Sequence, residues 1–510
     1  MTPVYNTGKR VLEECIASVL DQSEHDWELC LVDDCSTDQS VRKVLQRAAA
    51  LDERIRIQFR SSNGGIVAAS NDGLNMARGD YVGLLDHDDV LEPDALAEVF
   101  AAIRNNPAID YLYTDEDLLG EDGKTREAFR KPDWSPERFR NQMYVCHFSV
   151  IRRSLLDHVG GFRPGFDGSQ DYDLMLRVTE QAKVIHHIPK VLYHWRIVEG
   201  SVAGDPDAKP YAYLAGERAI SDHCERVGIS AVVNASPEYP GNYKVKRQIH
   251  LSSPPVDLFY VDGDDASRVW GWLRNHSDET AKSLRDTSTY PHLNVHRLNG
   301  LEKNRIEILD TAVRHSASDV VVLASHRLMV DTPDWCEVLE GFLRESDVGC
   351  VAPYVWTANS RLLHAGFNLR PHCIEHVGRG ISKDFSGFRA IFKSDREVSG
   401  VGAYCTMYKR KVFIEAGGFD TSLPSPFAEL DLSLRIRALG YRIISTPQAN
   451  LWCFDANSDF QGARVRLTEP FKTRWSSVLK RDSYAGLGRE RGEDHIPALQ
   501  WSPRGLRQFR

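Results

Sequence analysis

The chain has 510 residues, 42% apolar and 26% charged, and carries a formal charge of −9 at pH 7. That length allows about two to four domains, and the composition is that of an ordinary globular protein. The mild acidity argues against nucleic acid as the main partner, which would favour a basic footprint.

Helical spacing opens the chain: Val11, Leu12, Cys15, Ile16, Val19 and Leu20 fall on one face. Trp27 to Val32 then reads as a buried strand. It ends in Asp33-Asp34 and a Ser/Thr/Asp turn, with a helix from about Ser40. "IRIQFR" predicts a strand, "GGIVAASNDGLNMARG" a helix between glycines, and "DYVGLL" the next strand. Strands alternating with helices predict a doubly wound α/β domain with a mostly parallel sheet, whose ligands bind at the carboxyl ends of the strands. Asp33, Asp34, Asp86, Asp88 and Asp89 all fall at such ends. The first strand has only Met1 and Thr2 before Pro3, so it is very short or the true start lies upstream.

Carboxylates clustered at a strand end suit a hard divalent cation such as Mg²⁺ or Mn²⁺, and also suit turns and helix caps. In an extended segment Asp86 and Asp88 would point to the same side. Further on, "GGFRPGFDGSQDYDLMLRV" predicts a loop and then a helix with Asp171 and Asp173 in its first turn. The helix dipole favours acids there, and one of them is also a candidate general base. "VLYHWRIVEGS" brings His194, Arg196 and Ser201 to the end of another strand, where imidazole and guanidinium suit a metal-bound diphosphate.

In order, "PVYN", "LVDDCSTDQS", "SSNGGIVAASNDGLNMARGDYVGLLDHDDVLEPDAL", "GGF…GSQDYDLMLR" and "LYHWR…GS" resemble the family 2 glycosyltransferases, with a GT-A fold. They look most like bacterial members that build O-antigen, capsule or other surface polysaccharides, over about Thr2 to Ala235. The resemblance implies that Pro3, Val4 and Tyr5 open a nucleotide pocket, with Asp33, Asp34 and Asn63 on the donor. It implies a DxD motif in Asp86 and Asp88, holding Mn²⁺ or Mg²⁺ on the donor diphosphate. His194, Arg196 and Ser201 match the late loop near that diphosphate, with His194 as a further metal ligand. Asp171 is the expected catalytic base, deprotonating an acceptor hydroxyl that displaces the nucleoside diphosphate with inversion. The implied donor is a nucleoside-diphosphate hexose or deoxyhexose, UDP by default, with dTDP or GDP open. The implied acceptor is a glycan or a lipid-linked oligosaccharide.

The second half repeats the first. "RHSASDVVVLASHRLMVDTPDW" parallels the stretch around "DYVGLLDHDDVLEPDAL", so Ser325 and Arg327 fall where the first copy has Asp86 and Asp88. Glu429 falls on Asp171, and Asp431 on Asp173. The expected organisation is a catalytic domain over 1–235, a linker over 236–254, a degenerate GT-A-like domain over 255–455 and a basic extension over 456–510. The degenerate copy reads as a relic serving structure, oligomerisation or acceptor binding, as a metal-independent transferase using Arg327 and Glu429, or as a site for another ligand. For the whole chain, a sugar nucleotidyltransferase is the competing enzyme class; "PVYNTGKR" offers one glycine, Lys9 and Arg10 for a triphosphate loop. A non-catalytic glycan scaffold suits only the second half.

The ten cysteines, Cys15 to Cys453, show no CxxC and no paired Cys/His spacing, so they read as mostly buried thiols in a reducing compartment. No apolar run approaches the ~18–20 residues of a membrane helix, and no signal peptide is visible. The expected location is cytoplasmic. Gln461 to Arg510 holds 11 Lys/Arg against 5 Asp/Glu. That tail reads as a solvated surface, or as a peripheral contact to an anionic membrane face or a phosphorylated acceptor. Oligomeric state is left open, a homo-oligomer included.

Overall fold

The computed structural model of the chain describes residues 1–197, 210–249, 253–262, 276–300, 304–453 and 464–484. Strand β1 is Thr2–Val4, helix α1 Lys9–Leu20, β2 Leu29–Asp33, α2 Gln39–Leu51, β3 Ile55–Phe59 and α3 Gly65–Met76. Their boundaries follow local chemistry. Leu12, Cys15, Ile16 and Val19 of α1 are buried at helical spacing. The Asp38 side chain caps α2 by accepting from the Ser40 N–H at 2.8 Å. Every residue of β2 is buried, as a strand covered on both faces requires.

The strand order β3–β2–β1 is parallel, with Pro3 facing Val32. Strand β4, Tyr81–Gly83, lies beside β1 through the Met1 amino group and Gly83 carbonyl at 2.7 Å. From there the sheet is mixed. Strands β5 (Val90–Leu91), β6 (Tyr111–Leu119), β7 (Thr125–Phe129), β8 (Ser149–Arg152) and β9 (Ile185–Arg196) give the order β4–β8–β6–β9–β5, with β7 on β6. Of these pairs β6–β9 is parallel; β4–β8, β8–β6 and β9–β5 are antiparallel. The parallel reading therefore holds for β1, β2 and β3 and for the β6–β9 pair. It gives way where β8 inserts between β4 and β6, antiparallel to both. Helices α4 (Ala95–Asn105), α5 (Pro136–Asn141), α6 (Arg153–Val159), α7 (Gln170–Gln181) and α8 (Pro210–Arg226) complete this half.

The stretch expected as a linker contains a strand. Tyr243–Arg247 (β11) pairs antiparallel with Ala231–Ala235 (β10), burying Tyr243 and Val245 in the aromatic core formed with Tyr172, Phe139 and Tyr144. The alternation Tyr-Lys-Val-Lys-Arg carries the reason: its odd members face inward.

The second half builds a sheet whose strands run in the order Leu293–Asn299, Val256–Asp262, Val320–Ala324, Cys405–Lys409, Val348–Thr357, Arg442–Cys453, Leu328–Val330. This order repeats β2, β1, β4, β8, β6, β9 and β5 of the first half, and the five pairings that form a ladder in both halves share their parallel or antiparallel sense. Local detail repeats too. Arg177 donates to Asp173 at 3.0 Å and to the Gly161 carbonyl at 2.6 Å; Arg435 donates to Asp431 at 2.8 Å and to the Gly418 carbonyl at 2.7 Å. Residues 263–275, in the divergent opening of this half, lie outside the described residues.

A buried charge network joins the halves. Arg442 pairs with Glu345 at 2.7 Å, Asp347 at 2.7 Å and Glu397 at 2.9 Å. Arg247 pairs with Glu137 and Glu345, each at 2.7 Å, and Arg140 with the same two at 2.9 and 3.0 Å. Glu397 in turn accepts from the Glu137 N–H at 3.2 Å and from the Ser135 hydroxyl. Of the basic extension, residues 464–484 pack back rather than standing in solvent. Trp475 and Arg474 each donate to Asp431 at 2.9 Å, and the Asp133 N–H donates to the Ser483 carbonyl at 2.8 Å. Among the described residues no helix is long and apolar enough to cross a membrane.

Candidate active site

After β4 the chain turns at "DHDD", with the Asp89 N–H donating to the Asp86 carbonyl at 3.3 Å. The segment is therefore not extended, and Asp86 comes together with Asp89 rather than with Asp88. Asp89 is fully buried. Its carboxylate accepts from the Tyr193 hydroxyl at 2.5 Å and the Arg196 N–H at 2.7 Å, both from β9. Burial, reinforced by the charges of Asp88 and Asp86, pushes its carboxyl well above the usual carboxylate range. The Arg196 guanidinium holds the Asp88 carbonyl at 2.7 Å and pairs with Glu14 at 2.8 Å. It thus secures the turn from behind instead of facing the opening. Asp86 stays partly exposed.

His147, on the segment entering β8, faces Asp86 through Nε2 at 3.7 Å and Glu116 through Nδ1 at 3.5 Å. Asp86, Asp89 and His147 each bring a ligand atom within 4.8 Å of the others, the one such group among the described residues. Two carboxylates and an imidazole are a donor set that Mn²⁺ accepts, and Glu116 behind the imidazole is the usual outer partner of a metal-binding histidine. The residues present therefore fit a divalent cation. Glu116 is fully buried. Its burial is outweighed by Lys131 at 3.1 Å, Arg389 at 3.0 Å and His147, which hold it well below the carboxylate range. Burial would lower the His147 pKa, but Glu116, Asp86 and Asp89 raise it to about 9.

Asp171 opens α7 at this site, with one oxygen 3.0 Å from the Gln170 amide. Burial and then the Asp86 charge push its pKa up to about 7, with His147 pulling the other way. Asp173, two residues on, is spoken for by Arg163 and Arg177.

The remaining expected residues are placed differently. His194 has both ring nitrogens engaged, by Asp117 at 2.5 Å and Glu92 at 3.0 Å, and does not join the Asp86 group. Asp34 is saturated. It accepts from Arg60 at 2.5 Å and from the Gly64 and Gly65 N–H groups at 2.9 and 2.8 Å, capping α3 from a distance. Gly65 has φ +81°, which lets its N–H turn to that carboxylate. Asn63 donates to the Asp34 carbonyl at 3.1 Å. Asp33 accepts from the Ser36 N–H at 3.1 Å. Pro3 and Val4 are buried in β1 while Tyr5 is exposed, so Tyr5 is the member of that trio open to a ligand. Ser201 lies outside the described residues.

Sequence reasoning passed over Asp89 as a partner, and missed Glu116 and His147. The signal existed: "TDED", Thr114 to Asp117, puts carboxylates after an apolar run as "DHDD" does. In the second copy, Glu429 is held by Ser425 at 2.8 Å and Arg305 at 3.4 Å. The Ser325 N–H donates to the Tyr404 carbonyl at 2.8 Å, and Arg327 leans on His326 at 3.1 Å.

Residues 1–160 match the family described as glycosyl transferase family 2. The chain carries a family 2 glycosyltransferase domain. It is 34% identical over 519 residues to an uncharacterized protein, y4gI, of Sinorhizobium fredii, covering 94% of this chain and 56% of that one. It is 33% identical over 484 residues to the O-antigen biosynthesis protein RfbC of Myxococcus xanthus, covering 88% of this chain and 37% of that one. The chain thus spans about half or less of the length of these relatives. Among solved structures, S. aureus TarS residues 1–349 in complex with UDP-GlcNAc aligns over 44% of this chain and 64% of its own, at 22% identity and TM-score 0.36.

Proposed function

We propose that the first half is an inverting glycosyltransferase. It transfers a sugar from a nucleoside-diphosphate sugar to a hydroxyl of a glycan or lipid-linked acceptor in surface-polysaccharide synthesis. The observation that carries this reading is the position of Asp171, which opens α7 within charge range of Asp86 and His147, where burial and then the Asp86 charge push its carboxyl up to about 7. A general base works best when its pKa lies near the working pH. Asp171 accepts the proton of the acceptor hydroxyl as that oxygen attacks the anomeric carbon. The Gln170 amide orients its second oxygen. Asp86, Asp89 and His147 would hold Mn²⁺ or Mg²⁺, which when bound supplies neutralisation of the departing diphosphate. Tyr5, exposed at the end of β1, would contact the nucleotide. The loop beside it is tied together by the Asn6 side chain, which accepts from the Thr37 N–H at 2.9 Å. Holding donor and acceptor in line supplies the rest of the acceleration.

The second copy is read as a scaffold, since Ser325 and Arg327 replace carboxylates and Glu429 is neutralised by Arg305. The similarity to an O-antigen biosynthesis protein supports the acceptor class. UDP is the default donor base, with dTDP and GDP retained in the test. A screen of sugar nucleotides, reading out released nucleoside diphosphate with Mn²⁺ or Mg²⁺, should find one donor. Asp171→Ala and Asp86→Ala should each abolish its turnover. Full activity in both variants would sink the assignment.

A further inference from the structure

One side chain of the second half reaches the site of the first. Glu116 has two oxygens with separate partners. Oε2 accepts from Lys131 and from the His147 backbone N–H and lies 3.5 Å from the His147 ring Nδ1; Oε1 makes a charge contact with the Arg389 guanidinium at 3.0 Å rather than a hydrogen bond. Arg389 is delivered by a tight loop. Gly387, Arg389 and Ala390 all have positive φ, +74°, +49° and +53°, a conformation that costs non-glycine residues energy and persists only where surroundings enforce it. The enforcement comes from the first half. Gln142 donates to the Arg389 carbonyl at 3.3 Å, and the guanidinium lies over the Phe129 ring at 4.3 Å and near Trp195 at 5.9 Å. Phe388 closes the stack, 5.6 Å from Phe129 and from the Arg389 guanidinium. Trp195 in turn lies 5.5 Å from the His147 ring.

We propose that Arg389 is a positioning residue for the first-half site, contributed by the second half. It fixes the Glu116 carboxylate, which orients His147 toward Asp86 and the cation that this group would hold. The inference rests on the functional reading above and extends it. On this reading the second half completes the site of the first. The geometry follows a general pattern, in which a carboxylate behind a histidine sets the ring's orientation and its disturbance weakens metal binding about 10–100-fold. Arg389 stands one step further out, so an effect near the lower end of that range is expected.

The test titrates Mn²⁺ alone into the full chain, following free Mn²⁺ by electron paramagnetic resonance, for wild type, Asp86→Ala, Arg389→Ala, Arg389→Lys and Glu116→Gln. Arg389→Ala should bind Mn²⁺ roughly tenfold more weakly, and Arg389→Lys, which keeps the charge, should recover part of the loss. Glu116→Gln removes the same link without touching the loop, and should also weaken Mn²⁺ if Arg389→Ala proves unstable. A merely structural Arg389 would lower the melting temperature and leave Mn²⁺ affinity of the folded protein unchanged, and that result overturns the inference. If wild type and Asp86→Ala bind Mn²⁺ alike, the functional reading itself fails, and this inference with it.

Discussion

Asp171→Asn offers a test in which stability and activity should move in opposite directions. The folded protein raises this carboxyl from an ordinary 3.8 to about 7, through burial and then the Asp86 charge. The folded state therefore holds the proton more tightly than the unfolded state does. Between those two values the folded chain binds more protons, so stability falls as pH rises, and the penalty is complete above pH 7. At 1.36 kcal/mol per pKa unit the penalty is about 4 kcal/mol as an upper bound, and partial hydration of the site should leave ~1–3 kcal/mol. Asn cannot ionise and keeps the shape. Denaturant unfolding at pH 5 and pH 8 should show Asp171→Asn gaining on wild type at the higher pH and much less at the lower. Transfer should drop about 10²–10⁴-fold, as loss of a general base does. A variant destabilised equally at both pH values would refute the reasoning and return Asp171 to an ordinary acid of a helix's first turn.

Wild-type kcat/KM should climb with pH up to about 7 and then level, because the base must be ionised; a flat profile from pH 5 to 8 contradicts it. Arg442→Ala should lower unfolding free energy by about 3–5 kcal/mol, because it strips the shared cation from Glu345, Asp347 and Glu397. A loss under ~1 kcal/mol in denaturant titration would show that the network is not what joins the halves. Asp34→Ala should cost about 1–2 kcal/mol by removing the carboxylate that caps α3 through the Gly64 and Gly65 N–H groups. A change confined to donor KM would instead return Asp34 to the nucleotide. His194 is raised to about 9 by Asp117 and Glu92 against its burial. Its stabilisation is present below about pH 6.5 and lost as pH rises through 9, so His194→Gln should flatten that alkaline decline in melting temperature.

Much of this molecule was legible in its sequence. Helices α1 and α3, strands β2 and β3 and the carboxylates at the strand ends follow from local periodicity, which neighbours in the chain decide. The internal repeat was legible for the same reason: apolar spacing and glycine turns recur in order, and the two sheets run in the same order. Asp171 at the start of a helix after a Gly/Pro loop was likewise readable, because the motif is contiguous.

Tertiary structure decided which carboxylates meet and which are spent. Extended geometry pairs Asp86 with Asp88; the turn pairs Asp86 with Asp89, because β9 supplies the Tyr193 hydroxyl and the Arg196 N–H that hold Asp89 in place. Asp34 and His194 looked like ligand-binding residues by type and position. Arg60 and two backbone N–H groups occupy the first; Asp117 and Glu92 occupy the second. These partners lie far along the chain, and no local spacing encodes them. The sequence by itself determined the family 2 domain and the contiguous motifs within it, since those depend on residues close in order. Only the folded chain brought His147 between Asp86 and Glu116, and Arg389 of the other half against Glu116. Charge pairing at 3 Å depends on which strands lie side by side, and that is settled by the packing of both halves together.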